Sequence, residues 1–113
     1  MIPSQMLKGM LEGGILEIIN KQETYAYEIS EKLSKYGFGE ISEGTIYPII
    51  LRLQKNEMIS ATLRHSNSGP KRKYYKLTSK GIDALMEFKN NWKELNEAVN
   101  KLLEGDDENE KRV

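Results

Sequence analysis

Cysteine is absent from the 113 residues, which excludes a disulfide framework, a thiolate metal site and a thiol nucleophile. Histidine occurs once, as His65 among Arg64, Ser66 and Asn67. One imidazole does not make a zinc site, and in so polar a stretch it reads as a solvated loop residue rather than a general base. Long apolar runs are lacking as well. No segment approaches the roughly 20 apolar residues of a membrane span, and no signal-peptide run opens the chain, so a cytoplasmic protein is expected. Without cysteine, a second histidine, a nucleotide loop or paired carboxylates on one face, no catalytic constellation can be assembled. Neither an enzyme nor a bound cofactor or metal is expected. The length suits one domain with a modest core and room for an oligomerisation element.

Net charge is also missing, with 17 basic residues against 17 acidic ones. That balance taken alone argues against nucleic acid, but the charges are segregated. From Arg64 to Lys80 stand Arg64, Lys71, Arg72, Lys73, Lys76 and Lys80 with no acid, whereas Glu104, Asp106, Asp107, Glu108 and Glu110 crowd the other end. Salt screens over about 8–10 Å, so a distant acidic stretch does not cancel a basic patch that steers a polyanion.

The apolar spacing predicts mostly helix. Met6, Leu7, Met10, Leu11, Ile15, Ile18 and Ile19 recur at steps of three and four, giving an amphipathic helix over residues 4–20. Gly13-Gly14 in its middle either admits a second helix or a ligand close to the backbone or is simply tolerated. A second helix follows Lys21-Gln-Glu-Thr24, with Ala26, Ile29, Leu33 and Tyr36 on one face and Gly37 as its stop. Phe38-Gly-Glu-Ile41 connects it to a third, capped by Ser42, with Ile46, Ile49, Ile50 and Leu53 facing the core. Pro48 breaks the local rule, since it removes a backbone donor. Either this helix begins later than its cap suggests, or a kink is accepted because position 48 faces something useful.

Ile59–Arg64 and Lys73–Leu77 have strand composition and bracket the turn-rich Ser66-Asn-Ser-Gly-Pro70. Thr78 then caps a last helix running from Ser79 to Leu103, with Gly81 in its first turn. Its apolar positions, Leu85, Phe88, Trp92, Leu95, Val99 and Leu102, step by 3, 4, 3, 4 and 3. That is a coiled-coil seam on a helix too long to bury against so small a domain, and a partner chain is its natural cover. The expected architecture is mainly α with a small β-hairpin: a winged helix-turn-helix over 1–78, a dimerisation helix over 79–104, and an acidic disordered tail over 105–113. A helix of major-groove width followed by a cationic β-arm suits double-stranded DNA. Small and hydroxylated Ser42, Gly44 and Thr45 permit close approach at the third helix's start, Arg52 can reach phosphate, and Lys71, Arg72 and Lys73 form the arm. Ser42 is equally well read as a cap alone. Tyr74, Tyr75 and Leu77 read as strand packing. A winged helix can also act as a protein-interaction module without sequence-specific DNA binding, its basic arm meeting an acidic partner.

The order and spacing of Leu7-Lys-Gly-Met-Leu-Glu12, Tyr25-Ala-Tyr-Glu-Ile29, Gly44-Thr-Ile-Tyr-Pro48 with Leu51-Arg-Leu53, and Arg72-Lys-Tyr-Tyr-Lys-Leu-Thr78 with Gly81 resemble the PadR family of transcriptional regulators. The resemblance runs from Met6 to about Leu103 and is closest to the compact subfamily with one C-terminal helix. It implies a homodimeric regulator, a repressor, on an inverted-repeat operator. It supports Tyr27 and Tyr47 as DNA contacts, while Tyr25 serves either DNA or the core. It also implies that Trp92, the single tryptophan, is a platform for a small planar hydrophobic effector at the dimer interface, lined by Met6, Met10, Phe88 and Asn96. The plain alternative makes Trp92 a dimer anchor.

Overall fold

The computed structural model describes residues 1–66 and 69–105. Asn67, Ser68 and the acidic stretch beyond Gly105, including the expected disordered tail, lie outside the described residues. Among the described residues, five α-helices and one hairpin follow in the order α1 (Ser4–Leu7), α2 (Leu11–Lys21), α3 (Ala26–Leu33), α4 (Glu43–Lys55), β1 (Ile59–Ser66), β2 (Gly69–Leu77) and α5 (Ser79–Glu104).

The core lies where the apolar stripes of α2, α3 and α4 meet. Ile15, Leu16, Ile29, Leu33, Ile46, Ile50 and Leu53 are almost wholly buried there, each contributing about 1.5–3 kcal/mol of burial. Ile59 and Leu77, paired across the hairpin, close the sheet end of that core, with Leu77 only partly buried. Ser42 caps α4, its Oγ accepting the Thr45 N–H at 3.3 Å. Thr78 caps α5, accepting the Gly81 N–H at 3.0 Å while donating to the Glu57 carbonyl at 2.6 Å. Capping of this kind contributes about 1 kcal/mol at each helix start.

Four expectations are corrected. The single helix over 4–20 is two, because the chain turns at Lys8–Met10, where Met10 N–H bonds to the Leu7 carbonyl at 2.8 Å. Gly13 and Gly14 lie within an uninterrupted α2. Tyr36 is not on the core face: beyond Leu33 the chain widens into a π-turn over Ser34–Phe38, Gly37 adopts φ 105°, and the ring is exposed with the Lys21 ammonium 5.8 Å above it. The strands are longer than their composition implied, so Lys71 and Arg72 belong to β2 rather than to a projecting turn. Finally, Leu85 of the seam is 2% exposed and Phe88 is partly buried, both within the chain's own core.

Pro48 sits well inside α4, which begins where its cap requires, so a later start is ruled out. An interior proline costs about 3 kcal/mol relative to alanine, and here it faces solvent rather than core. The first turns of α5 pack on α2; from Lys89 to Glu104 every residue is exposed. The helix is about 39 Å long at 1.5 Å per residue, and it stretches the molecule to 62 × 29 × 20 Å. Among the described residues no helix is long and apolar enough to cross a membrane.

Candidate nucleic-acid interface

An unforeseen backbone contact seats the hairpin. Tyr75 N–H donates to the Thr24 carbonyl at 2.8 Å, which adds a one-residue rung to the two-stranded sheet. Thr24 is fully buried, and its hydroxyl donates to Glu28 at 2.5 Å. That bond, with Lys32 alongside at 3.4 Å, holds the Glu28 carboxyl below the usual carboxylate range. The start of α3 is thereby pinned to the root of the wing.

Strand alternation then divides the wing's side chains. Leu63, Lys71, Lys73 and Tyr75 line an open groove of about 500 Å³ whose other wall is Tyr27, Glu43 and Tyr47. Tyr75 is buried at the floor; burial, with Tyr47 beside it, pushes its phenol up to about 12. Arg72 reaches the rim from the opposite strand face, its guanidinium 4.7 Å from the Tyr25 ring centre.

That contact belongs to a stack. Tyr25 meets Tyr74 edge-on at 5.3 Å, Arg64 lies 5.0 Å over Tyr74, and Arg64 is ion-paired with Glu23. The hydrogen bond from Arg64 holds the Glu23 carboxyl below its usual range. Two exposed arginines thus flank a pair of rings along one side of the wing, each cation–π contact adding about 0.5–1 kcal/mol. The stack fixes the wing's angle and leaves the basic edge outward.

Of the DNA-contact residues expected from the sequence, Tyr27, Tyr47, Lys71, Arg72 and Lys73 come together around the groove. The others stand apart from it. The hydroxyls of Ser42 and Thr45 lie 3.2 Å from each other within the cap. Arg52 is exposed but ion-paired to Glu12 of α2 at 3.3 Å. Missed by sequence reasoning were Leu63 as part of the groove and the pairing of Arg64 with Arg72 on the opposite face. Pairing the hairpin in register, Arg64 opposite Arg72 and Leu63 opposite Lys73, is the signal that finds them.

The outer half of α5 forms a second surface. Trp92 is 44% and Leu95 53% exposed, and Val99 and Leu102 continue the row without intramolecular cover. Of the residues expected around an effector, Met6 is exposed on α1, Met10 is half-buried at the turn, and Phe88 is folded against α2. Asn96 accepts a hydrogen bond from Asn100 at 3.4 Å.

Comparison with known proteins converges. The model of the transcriptional regulator PadR-like family matches residues 15–87. A PadR-like transcriptional regulator from Bacillus cereus is 55% identical, with a TM-score of 0.83 over 90% of this chain and 99% of that one. A curated protein of Lysinibacillus sphaericus is 36% identical over 107 residues, 93% of this chain and 98% of the relative. Bacillus subtilis PadR, solved in complex with operator DNA, shares the fold at 23% identity and a TM-score of 0.63, over 70% of this chain and 46% of that one. With a winged helix-turn-helix, a basic groove and this breadth of agreement, the chain belongs to the PadR-like family of transcriptional regulators.

Proposed function

We propose that this regulator acts as a homodimer on an inverted-repeat operator, as a cytoplasmic repressor. The observation that carries the reading is the groove in which Tyr27 and Tyr47 stand opposite Lys71, Arg72 and Lys73 at the outward side of α4. Phosphate contacts from the wing and the tyrosines set position on the duplex, while α4 enters the major groove. The uncovered row Trp92, Leu95, Val99 and Leu102 supplies the dimer contact, since an apolar seam of that length is stable only when covered. Leu85 and Phe88 support that seam from within each protomer. Two copies then present their α4 helices about one helical turn, roughly 34 Å, apart.

The effector is a planar hydrophobic molecule held between the paired α5 helices, with Trp92 as its platform and Met6, Met10 and Asn96 at its edges. Methionine suits such a pocket because it adapts to varied shapes. The compound releases DNA by preferring the dimer arrangement in which the wings are wrongly spaced.

Binding of mixed-sequence duplex DNA at graded salt tests the DNA part. The expected result is a steep salt dependence, which Lys71→Ala with Arg72→Ala flattens by about 0.9 log unit for each phosphate no longer neutralised. Failure to bind at low salt refutes it. Indole fluorescence across a panel of aromatic cations and phenolic acids tests the effector part, and an unresponsive Trp92 removes it.

A further inference from the structure

The outward face of α4 is apolar at its centre. Gly44, Pro48, Leu51 and Lys55 recur at steps of four, three and four residues, which aligns them in one row on the helix, and all four are exposed. Tyr47 stands one turn from Leu51 and joins the row to the basic groove. The core is served by the opposite row, Ile46, Ile50 and Leu53. Leu51 is therefore 55% exposed for no benefit to packing, and Pro48 forgoes a helix hydrogen bond without burying its ring.

Polar base readers are missing from the centre of this row. Guanine is ordinarily read by arginine or lysine and adenine by asparagine or glutamine. Arg52, at the row's flank, is engaged by Glu12 at 3.3 Å, and Gln54 is half-buried. Lys55 stands in the last turn, beyond the apolar centre. The Ser42 and Thr45 hydroxyls face each other at 3.2 Å in the cap, at the start of the helix and away from the row's centre. What remains at the centre is a rigid pyrrolidine ring and an isobutyl group. The one apolar group that base pairs offer in the major groove is the C5-methyl of thymine.

We infer that α4 selects its operator through thymine, with Pro48 and Leu51 against C5-methyl groups. This rests on the operator-binding reading above and assigns the selectivity within it. The division of labour is physical: Lys71, Arg72 and Lys73 attract any duplex through phosphate, while the apolar row discriminates among duplexes. An acidic protein surface would satisfy the same cations but would leave Pro48 and Leu51 in water.

The test begins with duplexes selected by the full-length protein from a random library. Each thymine of the recovered half-site is then replaced singly by deoxyuridine, which removes the methyl group and keeps every hydrogen-bonding atom. Wild-type binding should fall about fourfold for each methyl that the helix touches. Leu51→Ala should bind the thymine and uracil duplexes alike at one position, and Pro48→Ala at another. Pro48→Ala should also melt at a higher temperature than wild type, because the missing helix donor is restored. A lower melting temperature would assign Pro48 to the fold and overturn its role here. If an operator is enriched but uracil costs nothing, or the variants keep full sensitivity, thymine reading is wrong and operator binding stands. If no sequence is enriched, the operator reading falls and takes this inference with it.

Discussion

The ring of Phe88 fills the space a side chain on Gly13 would need: a Cβ there would stand 2.3 Å from Phe88 Cγ. Gly13 thus seats α5 on α2, and the ion pair Lys89–Glu17 at 3.3 Å fastens the same contact one residue further along α5. Gly13→Ala gains about 1 kcal/mol of helix propensity but overpacks the junction by about 1–3 kcal/mol. A net loss of stability is expected in urea unfolding. In a Phe88→Ala background the clash is gone and Gly13→Ala should stabilise. The same sign in both backgrounds would mean that the ring does not hold α5 in place.

Gly81 meets backbone instead of a side chain. A Cβ there would lie 2.0 Å from the Met58 carbonyl oxygen, which also accepts the Thr78 N–H at 3.0 Å. Gly81→Ala should cost about 3 kcal/mol, at the upper end of overpacking effects, and truncating Met58 to alanine should give no relief. Rescue by Met58→Ala would place the strain in the side chain.

The wing stack predicts that Arg72 is more than a charge. Arg72→Lys keeps the cation but loses the planar face over Tyr25, at a cost of about 0.5–1 kcal/mol to wing docking. Hydrogen exchange in β2 should accelerate, and DNA affinity should fall with an unchanged salt slope. Unchanged exchange together with unchanged affinity would make Arg72 a phosphate contact only.

Tyr75 gives an alkaline signature. Its folded pKa, about 12, lies above the ordinary phenol value of 10.0, so the folded state favours the neutral ring. The associated stability is complete below the unfolded pKa and is lost as pH rises from there through the folded value. Circular dichroism from pH 9 upward should show a loss of stability that Tyr75→Phe reduces. An identical profile for the variant would locate the alkaline transition elsewhere.

Leu95→Asp should split the proposed dimer into monomers that keep the fold, because the side chain is exposed within one chain. Analytical ultracentrifugation at micromolar concentration reads this directly. A persistent dimer would place the contact off the α5 seam.

Local patterns carried much of the fold. Three- and four-residue spacing in α2 and α4, the caps at Ser42 and Thr78, and strand composition after Ile59 each depend on near neighbours, so they were legible. The break at Lys8–Met10 was hidden because apolar spacing continues across it from Leu7 to Leu11. The division of the seam at Phe88 depends on Gly13, far away in sequence, and a heptad pattern does not say which chain covers it. The candidate site divides the same way. Lys71, Arg72 and Lys73 announce themselves as a charge run, whereas the Thr24–Tyr75 rung, the Arg72–Tyr25 stack and the Arg52–Glu12 pair are tertiary contacts without a local signature.

Selection from a random duplex library with the purified protein is the most direct test of a dimeric, sequence-reading regulator. The expected product is an inverted repeat whose half-sites lie one helical turn apart, matching two α4 helices related by a two-fold axis. Recovery of a single half-site, or of sequence no different from the starting pool, would contradict it.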